Sequence, residues 1–124
     1  MFLEKGRSPG MPTISIDTTA ETAVIKVCGA LDILSSHLLA DAIAVAGLEP
    51  VVLVSFEECS YLDSTILSVL VRHARIMRER LVLLVLRDGY VRGLLEMCGL
   101  VEMLHVVSAV PERFQAGRLA RATA

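Results

Sequence analysis

Tyr61-Leu62-Asp63-Ser64-Thr65 sets an acid and two hydroxyls where an apolar run gives way to a helical pattern. Val51-Val52-Leu53-Val54 lies upstream and Ile66-Leu67-Ser68-Val69-Leu70-Val71-Arg72 lies downstream. A serine at such a junction is a natural helix N-cap, its oxygen accepting a first-turn N–H that otherwise has no partner. The same position would hold an added phosphoryl group against the positive end of the helix dipole. Ser64 is thus offered two roles, cap or modifiable hydroxyl, with Asp63 beside it as a turn residue. A catalytic serine is a third role, and it needs a base within hydrogen-bond reach. His73 follows nine residues later, about 13 Å along a helix. His37 and His105 could help only by folding back, and no G-x-S-x-G elbow surrounds Ser64. Hydrolase chemistry is disfavoured, and the chain has no P-loop for a nucleotide.

The remaining chain supplies the elements that would position this junction. Thr13 to Asp17 alternates as a half-buried edge strand, and Thr18-Thr19-Ala20-Glu21 turns into a second strand, Ala23 to Cys28, ended by Gly29. Ala30-Leu31-Asp32 leads into a helix that Asp32, Ser35 or Ser36 could cap. Its apolar stripe is Leu38, Leu39, Ala42, Ile43 and Ala46, stopped by Gly47 and Pro50. Val51 to Phe56 lacks alternation, as expected of a strand covered on both faces. Ile66, Leu67, Leu70, Ala74 and Met77 trace one helical face, and Leu81 to Leu86 is a second wholly apolar strand. After the turn Arg87-Asp88-Gly89, Val91, Leu94, Leu95 and Cys98 mark a short helix ended by Gly99. Val101 to Val107 supplies a last short strand, and Pro111, Phe114, Leu119 and Ala120 a C-terminal helix. Alternating helices and apolar strands imply an α/β domain with a mixed, mostly parallel sheet. The loops Gly29 to Asp32 and Leu62 to Ser64 would then share its carboxyl edge, where such sheets carry function.

Composition narrows the classes further. With 124 residues the chain is expected to form one domain, over 13–120, behind a loose tail at 1–12. That tail lacks the apolar block of a signal peptide or anchor, and Met11 could serve as an alternative start. Hydrophobic residues make up 54% and aromatics only 4%, so the core must be aliphatic. No apolar run is long enough to span a bilayer. A formal net charge of −2 disfavours direct nucleic-acid binding. Arg72, Arg75, Arg78 and Arg80 fall at helical spacing and read as one solvated helix face. Cys28, Cys59 and Cys98 form no C-x-x-C pair, so they read as reduced thiols filling the core of a cytoplasmic protein. Neither they nor the histidines show zinc-ligand spacing; no metal or cofactor is expected. The exposed N-terminal edge strand could pair with a second copy, giving a homodimer.

Four segments together carry a family resemblance: Gly29-Ala30-Leu31-Asp32, Val51 to Ser55, Tyr61-Leu62-Asp63-Ser64, and Leu95-Glu96-Met97-Cys98-Gly99-Leu100. Over about residues 13 to 118 the chain resembles STAS-domain proteins, most closely the bacterial anti-sigma factor antagonists. That resemblance implies a STAS fold of four to five strands and about four helices. It implies a non-enzymatic protein that binds an anti-sigma factor acting also as a serine kinase. Phosphorylation would fall on Ser64, with Thr65 as an alternative hydroxyl, and a serine phosphatase would reset the switch. Asp32, Asp63, Ser64, Thr65 and Ile66 are the expected partner contacts. The chain departs from the family pattern in three places. Thr65-Ile66 replaces Ser-Gly, which would put bulk in the kinase's path; Ala30 replaces Glu; and Ser55 stands where an acid or amide commonly ends the strand before the phosphoacceptor. The alternative within the same family is an unphosphorylated scaffold, or an accessory subunit of a stress-signalling, lipid-transport or anion-transport complex.

Overall fold

The computed structural model describes residues 12–115. Most of the expected tail, and Leu119 and Ala120 of the expected last helix, lie outside these residues. The elements are β1 (Thr13–Thr18), β2 (Thr22–Leu31), α1 (Ser36–Ala46), β3 (Val51–Leu62), α2 (Ser64–Met77), β4 (Leu81–Leu84), α3 (Tyr90–Met97) and β5 (Val106–Val107). A 3-10 turn, Arg78–Arg80, joins α2 to β4, and residues 112–115 form a helical turn.

The five strands lie in the order β1-β2-β3-β4-β5. The β1–β2 hairpin is antiparallel and every later pairing is parallel, as the mixed, mostly parallel sheet requires. Each parallel step moves one place in the same direction through a helical crossover. Crossovers of one hand then stack all three helices on one face. That face holds the main core: Ile25 and Val27 of β2, Val52, Val54 and Phe56 of β3, and Leu81 and Leu83 of β4. Leu39 and Ile43 of α1, Ile66 and Leu70 of α2, and Val91 and Leu95 of α3 pack onto them. Phe114 covers Leu53, Val82 and Leu84 on the other face, so β3 is buried on both sides. The opposite faces explain why Val51 to Phe56 shows no alternation.

Four strand boundaries differ from the sequence reading, one of them because β4 stops at Leu84 and leaves Leu86, expected as its last residue, exposed. β2 does not end at Gly29 but continues to Leu31, and β3 does not end at Phe56 but reaches Leu62. Two irregularities permit this. Lys26 pairs with Ser55 but Cys28 with Glu58, and Gly29 pairs with Cys59 but Ala30 with Tyr61. β3 thus carries an extra residue twice, as a β-bulge does, and Gly29 absorbs the distortion at φ 90°, where an L side chain would clash. The last strand shrinks to Val106–Val107 because residues 101–105 form turns.

Local chemistry sets the helix ends. α1 stops at Gly47, whose N–H donates to the Ile43 carbonyl at 2.7 Å. A Cβ at position 47 would sit 2.9 Å from that carbonyl oxygen. The four arginines do not form one solvated face. Arg72 and Arg75 are exposed on α2, whereas Arg78 ends that helix with a positive φ of 53°. Arg80 turns back to donate to the carbonyls of Pro50 (2.9 Å), Gly47 (2.7 Å) and Glu49 (2.9 Å). Its charge therefore satisfies the carbonyls of the α1–β3 connection. Cys98 is not a core thiol either: it is exposed after α3, while Cys28 and Cys59 are partly buried.

Candidate functional site

Leu31 and Leu62 pair at the ends of β2 and β3, so Asp32 and Asp63 leave the sheet from neighbouring strands. The two carboxylates perform the same local task. Asp32 Oδ1 accepts the N–H groups of Leu34 (3.0 Å) and Ser35 (3.2 Å). Asp63 Oδ1 accepts those of Thr65 (3.0 Å) and Ile66 (3.3 Å). Each acid thereby fixes the first turn after its strand. Ser35 is buried and closes the first loop, its hydroxyl meeting both the Asp32 N–H (3.0 Å) and the Asp32 carboxylate (3.2 Å). That hydroxyl is spent on the loop and gives α1 no side-chain cap.

The cap of α2 is Asp63, not Ser64. An aspartate in extended conformation one residue earlier reaches the same orphan donors, and Ser64 becomes the first helical residue. The Ser64 side chain is exposed, and among the described residues its hydroxyl makes no hydrogen bond. Its carbonyl accepts from the Ser68 hydroxyl at 3.2 Å. Thr65 is half-buried beside it.

Ile66 does not lie on this surface: its side chain is fully buried in the main core. One position past Ser64 and Thr65, the helix has already turned its third residue toward the sheet. The bulk expected in a partner's path is therefore packed inward. Ser55 is also remote from the junction, being buried mid-strand with its hydroxyl 3.4 Å from Glu57. Six strand residues lie between it and Leu62, which sets the two about 20 Å apart at the usual rise. His73 donates through Nδ1 to the Val69 carbonyl at 2.9 Å, within its own helix. No base approaches Ser64 from that side.

Apolar side chains surround the junction. Ile33 and Leu34 follow Asp32 and are 65% and 81% exposed. Tyr61, Leu86 and Tyr90 are about half exposed on the neighbouring strand ends and the start of α3. Tyr61 stacks on Tyr90 at 5.9 Å between ring centres, and the Tyr90 hydroxyl donates to the Leu62 carbonyl at 3.2 Å. That bond ties α3 to the residue preceding Asp63. Tyr90, Ile33 and Leu34 were not singled out from sequence, because isolated apolar residues outside a periodic run carry no signal, and Leu86 reads as the end of a buried strand. Their place beyond the ends of β2 and β4 was the available cue.

Across the bulge, Glu58 pairs with Lys26 at 3.3 Å and lies 3.5 Å from the Cys28 thiol. Its hydrogen bond to Lys26, then that to Cys28 and the Lys26 charge, hold its carboxyl below the ordinary range. Burial pushes the Cys59 thiol up, partly countered by its hydrogen bond to the Tyr61 carbonyl. Among the described residues no group of three or more His, Cys, Asp or Glu side chains is placed to hold a metal ion. No helix among them is long and apolar enough to cross a membrane.

Comparison with solved structures finds the same fold in an anti-sigma factor antagonist from Mycobacterium paratuberculosis. Its TM-score is 0.74 at 18% identity, covering 90% of this chain and 97% of that one. The antagonist SpoIIAA in its unphosphorylated form matches at TM-score 0.66 and 21% identity, over 87% of this chain and 96% of its own. The phosphorylated form of SpoIIAA, the Bacillus cell fate determinant, matches at 0.61 and 21%, over 86% and 99%. Comparison with curated proteins gives no match. The family model described as Mlab, STAS domain, matches residues 14–107, from β1 through β5 and across both aspartate-capped loops. With its sheet order and helix placement shared by these antagonists, the chain belongs to the STAS domain family.

Proposed function

We propose that the chain is an anti-sigma factor antagonist, a non-enzymatic module that binds an anti-sigma factor acting also as a serine kinase. The observation carrying this reading is the state of Ser64. It is exposed at the first turn of α2, and Asp63 performs the capping that would otherwise occupy its hydroxyl. The exposed residues Ile33, Leu34, Tyr61 and Tyr90 around it give a partner desolvatable contact area. A phosphoryl group on Ser64 would add about −1.5 to −2 charges. The helix N-terminus offsets part of that charge within the protein. Asp63 and Asp32 leave the adjacent strands, so the added charge enters an already acidic rim and repels an acidic partner surface. The likeness to SpoIIAA in both its unphosphorylated and phosphorylated forms supports a switch that works without refolding. A serine phosphatase would restore the binding state in the cytoplasm, where thiols such as exposed Cys98 stay reduced.

The test is incubation of the full chain with its cognate kinase and ATP, followed by mass-spectrometric mapping. Phosphate is expected on Ser64, with Thr65 the secondary acceptor, and Ser64→Asp should weaken kinase binding. Phosphate on neither residue, together with unchanged binding by Ser64→Asp, would sink the switch. A second reading is favoured by one observation: the apolar rim can hold a partner whether or not Ser64 is modified. On that reading the chain is an accessory subunit of a stress-signalling or lipid-transport complex. Co-purification with a transport ATPase, and not a kinase, would select it.

A further inference from the structure

A groove of about 550 Å³ begins at Ser64 and runs down α2 beside the end of α3. Leu67, Val71 and Leu100 supply its apolar lining, and Arg72 and Arg75 its charge. No acidic side chain lines it. Both arginines are exposed, and among the described residues neither makes an ion pair or a side-chain hydrogen bond. Arg80 and Arg92, by contrast, are engaged with carbonyls and with Glu96. Two unpaired cations over an aliphatic floor form a surface of one sign inside a chain whose net charge is −2.

We infer that this groove docks an amphipathic, acidic helix of the partner protein, laying Leu-like side chains on Leu67, Val71 and Leu100 and carboxylates on Arg72 and Arg75. From Ser64 to Arg75 the groove follows twelve residues of α2, about 16 Å from first to last, or three turns of a docked helix. Two arginines are too few for a nucleic-acid backbone, whose affinity scales with the number of phosphates neutralised. An apolar floor suits a folded segment better than a small anion. The inference rests on the partner-binding reading above and adds how the switch would act. A phosphoryl group on Ser64 stands at the mouth of the groove, opposite in sign to the arginines and alike in sign to the docked helix. It would repel the incoming acidic segment without altering the fold.

The test uses the full chain and a fluorescein-labelled Leu/Glu amphipathic peptide of about 16 residues, long enough for the groove, with a Leu/Lys peptide as control. The Leu/Glu peptide should bind and shift the amide resonances of Leu67, Val71 and Leu100. The double variant Arg72→Glu/Arg75→Glu should bind it at least about tenfold more weakly, and Ser64→Asp should weaken it as well. The Leu/Lys peptide should not bind the wild-type protein. Absent binding, binding insensitive to the double variant, equal binding of both peptides, or shifts confined elsewhere would each overturn the inference. If the double variant does not fold, Arg72→Gln/Arg75→Gln takes its place and is held to the same criterion. Self-association abolished by the double variant would assign the groove to a second copy and also overturn it. Kinase binding undiminished by the double variant counts against the groove as well. A kinase that ignores the wild-type protein while the Leu/Glu peptide binds as expected would remove the antagonist reading and leave the groove standing.

Discussion

Leu31 and Leu62 are register partners at the carboxyl ends of β2 and β3, and this pairing sets Asp32 and Asp63 on adjacent strand ends. It exists because β3 carries two more residues than β2 across the paired stretch, inserted at the irregularities after Lys26 and Gly29. Without them the two capped loops would be out of step by about 7 Å at the strand rise.

The cap assignment is testable by stability. Asp63→Ala should destabilise the protein by about 1 kcal/mol in chemical denaturation, and Asp63→Asn by much less, since both Asp and Asn accept first-turn N–H groups. Ser64→Ala should change stability by no more than about 0.5 kcal/mol, as expected of an exposed site with no bond to lose. A larger loss from Ser64→Ala than from Asp63→Ala would return the cap to the serine.

Arg78 stands at φ 53° and ψ −130° where α2 breaks into its 3-10 turn. That backbone region is open to glycine and strained for a residue with a Cβ. Arg78→Gly should therefore stabilise the protein by about 1 kcal/mol, read as a raised denaturation midpoint with unchanged slope. Destabilisation of that size would show that the arginine side chain matters more than the backbone strain.

The three cysteines should separate by reactivity. Cys98 is exposed, while Cys59 is partly buried with its thiol pushed up by that burial. Since the thiolate is the reacting form, iodoacetamide near neutral pH should label Cys98 first and Cys59 much later. Peptide mapping over time measures the order, and early labelling of Cys59 would contradict it.

Glu58 should respond to the loss of Lys26. Its folded-state carboxyl lies below the ordinary range because it bonds Lys26, so Lys26→Ala should raise it toward that range in an NMR titration. A depressed folded value means the unfolded chain binds the proton more readily. The pair's stabilisation is thus present above the unfolded value and lost as pH falls through the folded one. With about half of each side chain open to solvent, the pair should give a small effect that salt weakens further. A Glu58 titration unmoved by Lys26→Ala would assign the shift to another neighbour.

Much of the fold is legible in the residues. The uninterrupted apolar runs Val51 to Phe56 and Leu81 to Leu86 announce buried strands, although the second stops at Leu84 and leaves Leu86 exposed, and Ile66, Leu67, Leu70 and Met77 announce the inner face of α2. Less legible is where β2 and β3 stop. Their last residues alternate weakly, and bulges shift the register that a period of two would otherwise report. Ile66 illustrates the same limit at the site. Beside Ser64 in sequence it looks like a surface obstacle, yet the helix turns it into the core.

Taken alone, the chain determines the order of its elements, an aliphatic core, and an acid followed by two hydroxyls at a strand-to-helix junction. These follow from local preferences: apolar periodicity, turn residues and capping chemistry act over a few neighbouring positions. Tertiary structure decides which oxygen caps α2, that Ser64 is left exposed, that Arg80 is consumed by carbonyls 30 or more positions away, and that Arg72 and Arg75 face a groove. Those outcomes depend on sheet register and on packing between elements distant in sequence, which no local pattern of residues encodes.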